Sequence, residues 1–170
     1  MRKAVMGAII FVNFILESTL FSYLTIRQIK PNMAASFTVC YAILRGSAEG
    51  AIFGLCAGLL QDVVYGTSIG YYGLIYMTVG YLCGIPNDSF FKDNFYVPLI
   101  FTLVSMLVIG LYIYVTGFLI RGRLDFLFYL GNIILPETVY TTVFTFFTYR
   151  LMFGVNKKVE EYEYDDRKVF

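Results

Sequence analysis

The 170-residue chain contains no histidine and no tryptophan, and only three of its residues are cysteines. Without histidine it lacks the commonest metal ligand in proteins and the side chain that most often serves as a general base. Cys40, Cys56 and Cys83 occur at unrelated spacings within apolar stretches, a pattern that fits neither a zinc site nor a disulfide framework. We therefore expect no bound metal or cofactor, and we expect the thiols to be buried as small apolar groups.

Charge is also scarce. Charged residues make up 15% of the chain and hydrophobic residues 58%. Soluble domains carry roughly 25% charged and 45–50% apolar residues, so this composition indicates an integral protein of the lipid bilayer. The formal net charge is only +1 and the basic residues are scattered, which argues against a nucleic-acid partner.

Motifs for catalysis are weak as well. The glycines are embedded in apolar sequence, whereas a phosphate-binding loop needs a glycine-rich turn with a lysine or hydroxyl beside it. Ser36 and Ser105 have no neighbouring base, and Ser18 has only Glu17 next to it. We expect a protein that is not an enzyme.

Apolar runs bounded by charged or turn residues predict six transmembrane helices, since each crossing needs about 20 residues. Their expected bounds are Ala4–Ile26, Met33–Leu44, Ala48–Val64, Ile69–Ile85, Tyr96–Ile120 and Leu130–Phe153. The first run is too long for a signal peptide and is expected to remain as a span. The chain thus divides into an all-α membrane domain, residues 1–154, and a short charged tail, residues 155–170, expected to be solvated.

The distribution of basic residues predicts the orientation. Six spans put both termini on one side, and an inward N-terminus leaves nine Lys and Arg inside and four outside, which sum to thirteen. The positive-inside rule then places both termini in the cytoplasm. The second span is short and is followed by Arg45, so this region could instead form a re-entrant hairpin.

Glycines recur every four residues between Arg45 and Gly70. The members of this pattern are Gly46, Gly50, Gly54, Gly58, Gly66 and Gly70, with Asp62 in the one slot that glycine skips. A spacing of four keeps residues on one helix face, so Gly46 to Gly58 predict a smooth strip for close helix packing or partner binding. Asp62 ends the strip near the predicted outer membrane boundary.

Several polar residues interrupt the first and last spans. They are Asn13, Glu17, Asn132, Pro136, Glu137 and Tyr140. At 1.5 Å per residue, Glu17 lies about 13 Å and Glu137 about 10 Å inside the predicted outer boundary. Because ionised groups at such depths are costly, we expect these buried polar residues to face the bundle interior, a wet cavity or a partner, or the acids to be protonated. They could form interhelical hydrogen bonds, receive a partner helix or small ligand from outside, or belong to a proton-coupled carrier, for which a matching cation or histidine is missing.

Three segments resemble one known family. The run from Arg45 to Gly84, with GLCAGLLQD at Gly54–Asp62 and a tyrosine-rich helix after Gly70, resembles the MreD family of bacterial rod shape-determining membrane proteins. Pro31-Asn32 and the sequence LPETVY at Leu135–Tyr140 are similar to two further patterns of that family. Thr141 departs from it, because an asparagine often stands at that position.

The resemblance implies a non-enzymatic scaffold of the cell-elongation, peptidoglycan-synthesising machinery. Its expected partner is an MreC-like single-span protein, with indirect partners in an MreB-like filament, a RodA-type glycosyltransferase and its transpeptidase. The family is believed to share its six-helix fold with the substrate-binding subunits of energy-coupling-factor vitamin transporters. A vitamin-binding transporter subunit is therefore the alternative, and a lipid-binding protein is a third class that the many aromatic residues leave open.

Overall fold

The computed structural model describes residues 7–12, 15, 30–65, 69–86, 94–119 and 125–168. Every regular element within these ranges is helical, which confirms the predicted all-α class. The helices are α1 (7–12), α2 (Met33–Arg45), α3 (Ser47–Tyr65), α4 (Tyr71–Cys83), α5 (Tyr96–Tyr114), α6 (Phe126–Tyr129) and α7 (Leu135–Lys168). Two π-helical turns follow α5 and precede α7, at Val115–Leu119 and Leu130–Ile134.

Helix α2 is the centre of the bundle. Every residue from Met33 to Leu44 is buried, and the helix contacts α3, α4, α5 and α7. A helix that is apolar on all sides is stable only when it is surrounded, which explains why this short segment lacks a polar face. The other helices are therefore arranged around α2.

Within the part of the chain that the structure describes, two helices are long and apolar enough to cross a membrane. They cover Ser47–Val64 in α3 and Tyr96–Gly117 in α5 with its π-helical turn, with mean hydropathies of 1.2 and 2.3. Helix α2 is apolar but shorter. These findings fit a membrane protein, while the complete six-span arrangement stays a prediction.

The sides of α5 and α7 that face away from α2 are apolar and exposed. They carry the large side chains Ile100, Leu103, Val104, Val108, Leu111, Leu135, Val139, Val143, Phe147 and Leu151. A continuous apolar surface of this kind is unfavourable in water and rare in soluble monomers. Lipid tails, or another apolar helix, would cover it without that penalty.

Helix α7 continues well beyond the predicted end of the last span. Its 34 residues correspond to a length of about 51 Å, compared with a hydrocarbon thickness of about 30 Å. The helix passes through Gly154 without interruption and ends at Lys168. The boundary predicted at residue 155 lies inside this continuous helix, and the division into a membrane domain and a solvated tail stays a prediction.

Candidate functional site

The glycines of α3 bring it into contact with the backbone of α4. A Cβ atom added at Gly58 would lie 2.5 Å from the carbonyl oxygen of Tyr72, and one added at Gly54 would overlap the carbonyl oxygen of Tyr76. Gly50 is similarly close to the backbone of α4. Since Cβ atoms essentially never approach other atoms this closely, these positions exclude every side chain at the observed helix separation.

The contact is reciprocal, because α4 contributes glycines of its own. Gly80 lies against the carbonyl of Gly50, and Gly84 lies against the link between Gly46 and Ser47. The strip is therefore occupied by α4 of the same chain. A partner helix would have to bind another surface, which revises the expectation that this strip is available for partner binding.

Gly46 has a different role from the other members of the strip. It lies between α2 and α3 with a φ angle of 98°, and its N–H donates to the carbonyl of Ala42 at 2.7 Å. With a ψ angle of 174°, Gly46 is in a backbone conformation that essentially only glycine adopts without strain. The expectation that Gly46 continues the helical strip was wrong, because it terminates α2 before α3 begins.

Asp62 joins the end of α3 to the beginning of α4. Its carboxylate is 2% exposed and accepts hydrogen bonds from the backbone N–H groups of Gly70, Tyr72 and Gly73 at 2.9, 2.9 and 3.1 Å. The first N–H groups of a helix have no partner within the helix, and the helix dipole favours a negative charge there. Asp62 therefore caps α4 from the preceding helix.

The turn that permits this cap depends on Gly70. Its φ angle of 96° is again in the left-handed region, directly before α4 begins. Gly70 and Asp62 thus belong to one structural unit, as their shared place in the four-residue pattern suggests. Gly66, the remaining member of that pattern, lies outside the described residues.

A second polar junction forms around Asn32, which was not among the predicted site residues. Its side-chain oxygen accepts from the N–H of Ala35 at 3.0 Å, capping α2, and from the hydroxyl of Tyr76 at 2.9 Å. Its backbone N–H donates to the hydroxyl of Thr141 at 2.9 Å. Helices α2, α4 and α7 are therefore connected at a single buried residue. An asparagine directly before an apolar helix is the signal that could have identified this cap.

Hydroxyl groups continue this junction along α7. The buried residues of α7 form a stripe on the side of the helix that faces the bundle. They are Thr138, Thr141, Thr145, Thr148, Tyr149, Met152 and Asn156. The hydroxyl of Thr145 lies 2.9 Å from that of Ser36 in α2 and also donates to the carbonyl of Thr141. Each such hydrogen bond between helices contributes roughly 0.6–2 kcal/mol to the free energy of helix association within membranes. Threonine carries little polarity signal in an apolar span, so sequence patterns did not indicate this stripe.

The structure confirms burial for only some of the polar residues that were predicted to be buried. Asn132 is exposed, and its side-chain amide donates to the carbonyl of Phe128 at 3.0 Å. The prediction that it is buried was wrong, because a bond to its own helix satisfies the amide without any contact with the core. Asn13 and Glu17 lie outside the described residues.

Pro136, Glu137 and Tyr140 are half-buried at the beginning of α7. The ring of Tyr140 packs edge-on against Phe144 at a centroid distance of 5.2 Å. The Glu137 carboxylate acts electrostatically on the hydroxyl of Tyr72. Glu137 therefore lies at the same end of the bundle as the first turn of α4.

We call Tyr71, Tyr72, Tyr129 and Glu137 the Tyr–Glu cluster. Glu137 and Tyr71 both interact electrostatically with Tyr129, and the rings of Tyr71 and Tyr72 meet edge-on at 5.2 Å. Tyr71 is held in place by a hydrogen bond to the hydroxyl of Thr116. The cluster thus gathers side chains from α4, α6 and α7 at the end of the bundle where α4 and α7 begin.

The fold and these contacts define a class: an all-α membrane protein in which buried polar groups such as Asp62 and Asn32 connect helices. The model of one family, described as the rod shape-determining protein MreD, matches residues 1–159. The chain belongs to the MreD family, which confirms the resemblance seen in its sequence. No curated protein and no solved structure matches the chain.

Proposed function

We propose that this protein is a non-enzymatic scaffold subunit of the bacterial cell-elongation machinery and that it binds an MreC-like single-span protein. The observation that carries the proposal is the family match, which covers residues 1–159 of a 170-residue chain. Rod shape determination follows from the family. The scaffold role and the identity of the partner are the steps that we add.

The internal contacts support a scaffold role because the buried polar groups form hydrogen bonds between helices of the same chain. Asp62 is saturated by three backbone N–H groups, and Asn32 is bonded to three neighbouring residues. Gly54 and Gly58 fix the separation of α3 and α4. A protein that organises other membrane proteins needs a stable shape, and these contacts supply one.

In the membrane, we propose six spans with both termini in the cytoplasm. Under this arrangement the charged end of α7 projects into the cytoplasm as a continuous helix, where it is within reach of an MreB-like filament. A RodA-type glycosyltransferase and its transpeptidase are then partners through the assembled complex. The exposed apolar sides of α5 and α7 are available to lipids and to the single-span partner.

A pull-down of the tagged full-length chain in mild detergent, analysed by mass spectrometry for proteins and small molecules, tests the proposal. We expect an MreC-like protein in nearly equal amount. A stoichiometric vitamin-like ligand, or ATPase subunits in place of that protein, would instead establish the vitamin-transporter alternative, which no finding supports at present.

A further inference from the structure

The outward side of α7 changes from apolar to basic at Arg150. Every exposed residue between Asn132, in the π-helical turn before α7, and Arg150 is apolar. Asn132 and Arg150 are 18 positions apart, which corresponds to about 27 Å of helix and is close to the hydrocarbon thickness of about 30 Å. Arg150 therefore lies where α7 leaves the hydrocarbon. The exposed apolar residues before it are Leu135, Val139, Val143, Phe146 and Phe147.

The neighbouring helix α5 places the membrane boundary at the same level. Asn94 and Tyr96 are exposed at its start, and the residues that are exposed further along this helix are apolar. The ring of Phe95 packs against that of Tyr149, the residue before Arg150, at a centroid distance of 5.9 Å. Tyrosine is typical of the membrane–water interface. Both helices therefore place Arg150 at the edge of the hydrocarbon.

A groove lies beside Arg150 on the surface of the protein. Its volume is about 590 Å³, within the range of roughly 300–1,000 Å³ that is usual for sites of small molecules. The described residues that line it are Phe147, Arg150, Leu151, Gly154 and Val155, all on one side of α7. A Cβ atom added at Gly154 would meet nothing within 4 Å beyond its own helix backbone, so this glycine leaves room one turn after Arg150. We call this site the Arg150 groove.

The described lining of the Arg150 groove combines apolar side chains with one positive charge. Phe147 and Leu151 are 61% and 70% exposed and offer a surface for an acyl chain. Arg150 is exposed as well, and a guanidinium group binds phosphate through two parallel N–H donors. None of the described lining residues is acidic, so none supplies a negative charge for the ammonium group of a zwitterionic headgroup. The groove therefore matches a lipid whose headgroup is net negative.

We propose that the Arg150 groove binds an anionic phospholipid, with the phosphate at the Arg150 guanidinium and an acyl chain along Phe147 and Leu151. A lipid is favoured because the groove lies at the hydrocarbon edge, where the headgroup and the chain of one molecule fall on the two sides of the boundary. In the orientation proposed above, this is the cytoplasmic leaflet, whose anionic lipids attract basic residues beside the spans. Apart from that orientation, the site is independent of the proposed function.

The test is native mass spectrometry of the full-length chain, titrated with phosphatidylglycerol or with phosphatidylethanolamine of identical acyl chains. We expect Arg150→Gln to weaken phosphatidylglycerol binding about fivefold, the effect of losing one basic contact near the membrane surface. Its phosphatidylethanolamine binding should not change. Arg150→Lys keeps the charge without the two parallel donors, so its affinity for phosphatidylglycerol should lie between those of the wild type and Arg150→Gln.

Lys30→Gln is the matched control for the loss of one positive charge. Lys30 is exposed and directly precedes the N-terminal cap region of α2. Helices α2 and α7 run in the same direction, so Lys30 lies away from the end of the bundle at which Arg150 is found. This variant should bind both lipids as the wild type does.

Gly154→Leu tests the groove separately from the charge. A leucine side chain at this position occupies the groove while Arg150 is kept, so phosphatidylglycerol binding should again fall. Val139→Leu is its control, because it adds bulk to an exposed position of the same helix outside the groove and should have no effect. Thermal unfolding of each variant verifies that the substitutions at these exposed positions leave the fold intact.

Several results would overturn the proposal. One is equal phosphatidylglycerol binding by the wild type and Arg150→Gln, and another is equal binding of the two lipids by the wild type. Displacement of the lipid by inorganic phosphate would show a site for a soluble anion. A non-additive stability loss when Arg150→Gln is combined with Asp88→Asn or Asp93→Asn would show that the guanidinium is paired within the chain.

Recovery of the MreC-like protein in a pull-down decides the proposed function separately. If the wild type recovers no such protein but its phosphatidylglycerol binding depends on Arg150, the proposed function fails and the lipid site stands. If the wild type and Arg150→Gln recover it equally and only lipid affinity falls, both stand. If Arg150→Gln loses the protein and keeps the lipid, the groove is a protein-binding surface and the lipid proposal is overturned.

Discussion

The α3–α4 pair and the α2–α7 junction hold helices together in different ways. Helices α3 and α4 meet through backbone atoms at glycines, whereas α2 and α7 meet through hydrogen bonds of Asn32, Ser36, Thr141 and Thr145. Backbone contact tolerates no added atom, because the two main chains cannot move aside independently. Side-chain hydrogen bonds can be lost one at a time while the two helices stay packed. The two regions should therefore differ sharply in their response to substitution.

The largest effect is expected at Gly54. Gly54→Leu should prevent α3 and α4 from packing, and even Gly54→Ala should destabilise the protein by about 1–3 kcal/mol, since its Cβ would overlap the backbone of Tyr76. Thermal unfolding in detergent measures the loss. Gly154→Ala is the control, because a Cβ there meets open space; it should be neutral or stabilise by up to about 1 kcal/mol. Equal melting temperatures for Gly54→Ala and Gly154→Ala would contradict the close contact.

Removing the Asp62 cap is expected to have the next largest effect. Asp62→Ala leaves three backbone N–H groups without their acceptor, which should cost about 1–3 kcal/mol, while Asp62→Asn keeps one acceptor oxygen and should be milder. The comparison is Asp125→Ala, since the Asp125 side chain makes no capping bond to α6. The ranking is read from unfolding midpoints, and an Asp125→Ala loss as large as that of Asp62→Ala would refute the capping role.

At the α2–α7 junction, Asn32→Ala should cost about 0.5–2 kcal/mol, because it removes the cap of α2 and the acceptor for the Tyr76 hydroxyl. A double-mutant cycle with Tyr76→Phe separates these two contributions. We expect the two substitutions to be non-additive, since they break the same hydrogen bond. Strict additivity of the unfolding free energies would show that this bond contributes nothing.

The smallest effect is expected for single hydroxyls of α7. Thr145→Val removes one hydrogen bond to Ser36 and should cost roughly 0.6 kcal/mol, close to the mean for such bonds in membranes. Thr78→Val is the matched control, because the exposed Thr78 hydroxyl bonds only within its own helix. A larger loss at Thr78 than at Thr145 would reverse the assignment of the interhelical bond.

The sequence predicted the helical class and part of the candidate site. Glycine spacing indicated a smooth face on α3, and the skipped slot drew attention to Asp62. Spacing along one helix cannot say which neighbour covers a face, so the role of α4 was not predictable. Asn132 shows the same limitation, since its polarity suggested burial although a local backbone carbonyl satisfies it.

Contacts between distant parts of the chain were the least predictable. Asn32 and Thr141 are separated by 109 positions, and no local pattern connects them. The residues of the Tyr–Glu cluster come from three helices, and they form a group only because α4, α6 and α7 all place one end at the same side of the bundle. Local sequence determines helix formation, whereas such groupings depend on packing.

By itself, the sequence determined that this protein is a helical membrane protein, because apolar composition and helical periodicity are properties of the chain alone, and its motifs placed it in the MreD family. Only the tertiary structure decided that the glycine strip is closed by α4, that Asp62 is neutralised by a helix N-terminus, and that Glu137 is left without a donor among the described residues. The physical reason is that a charge or a smooth face acquires its role from what packs against it.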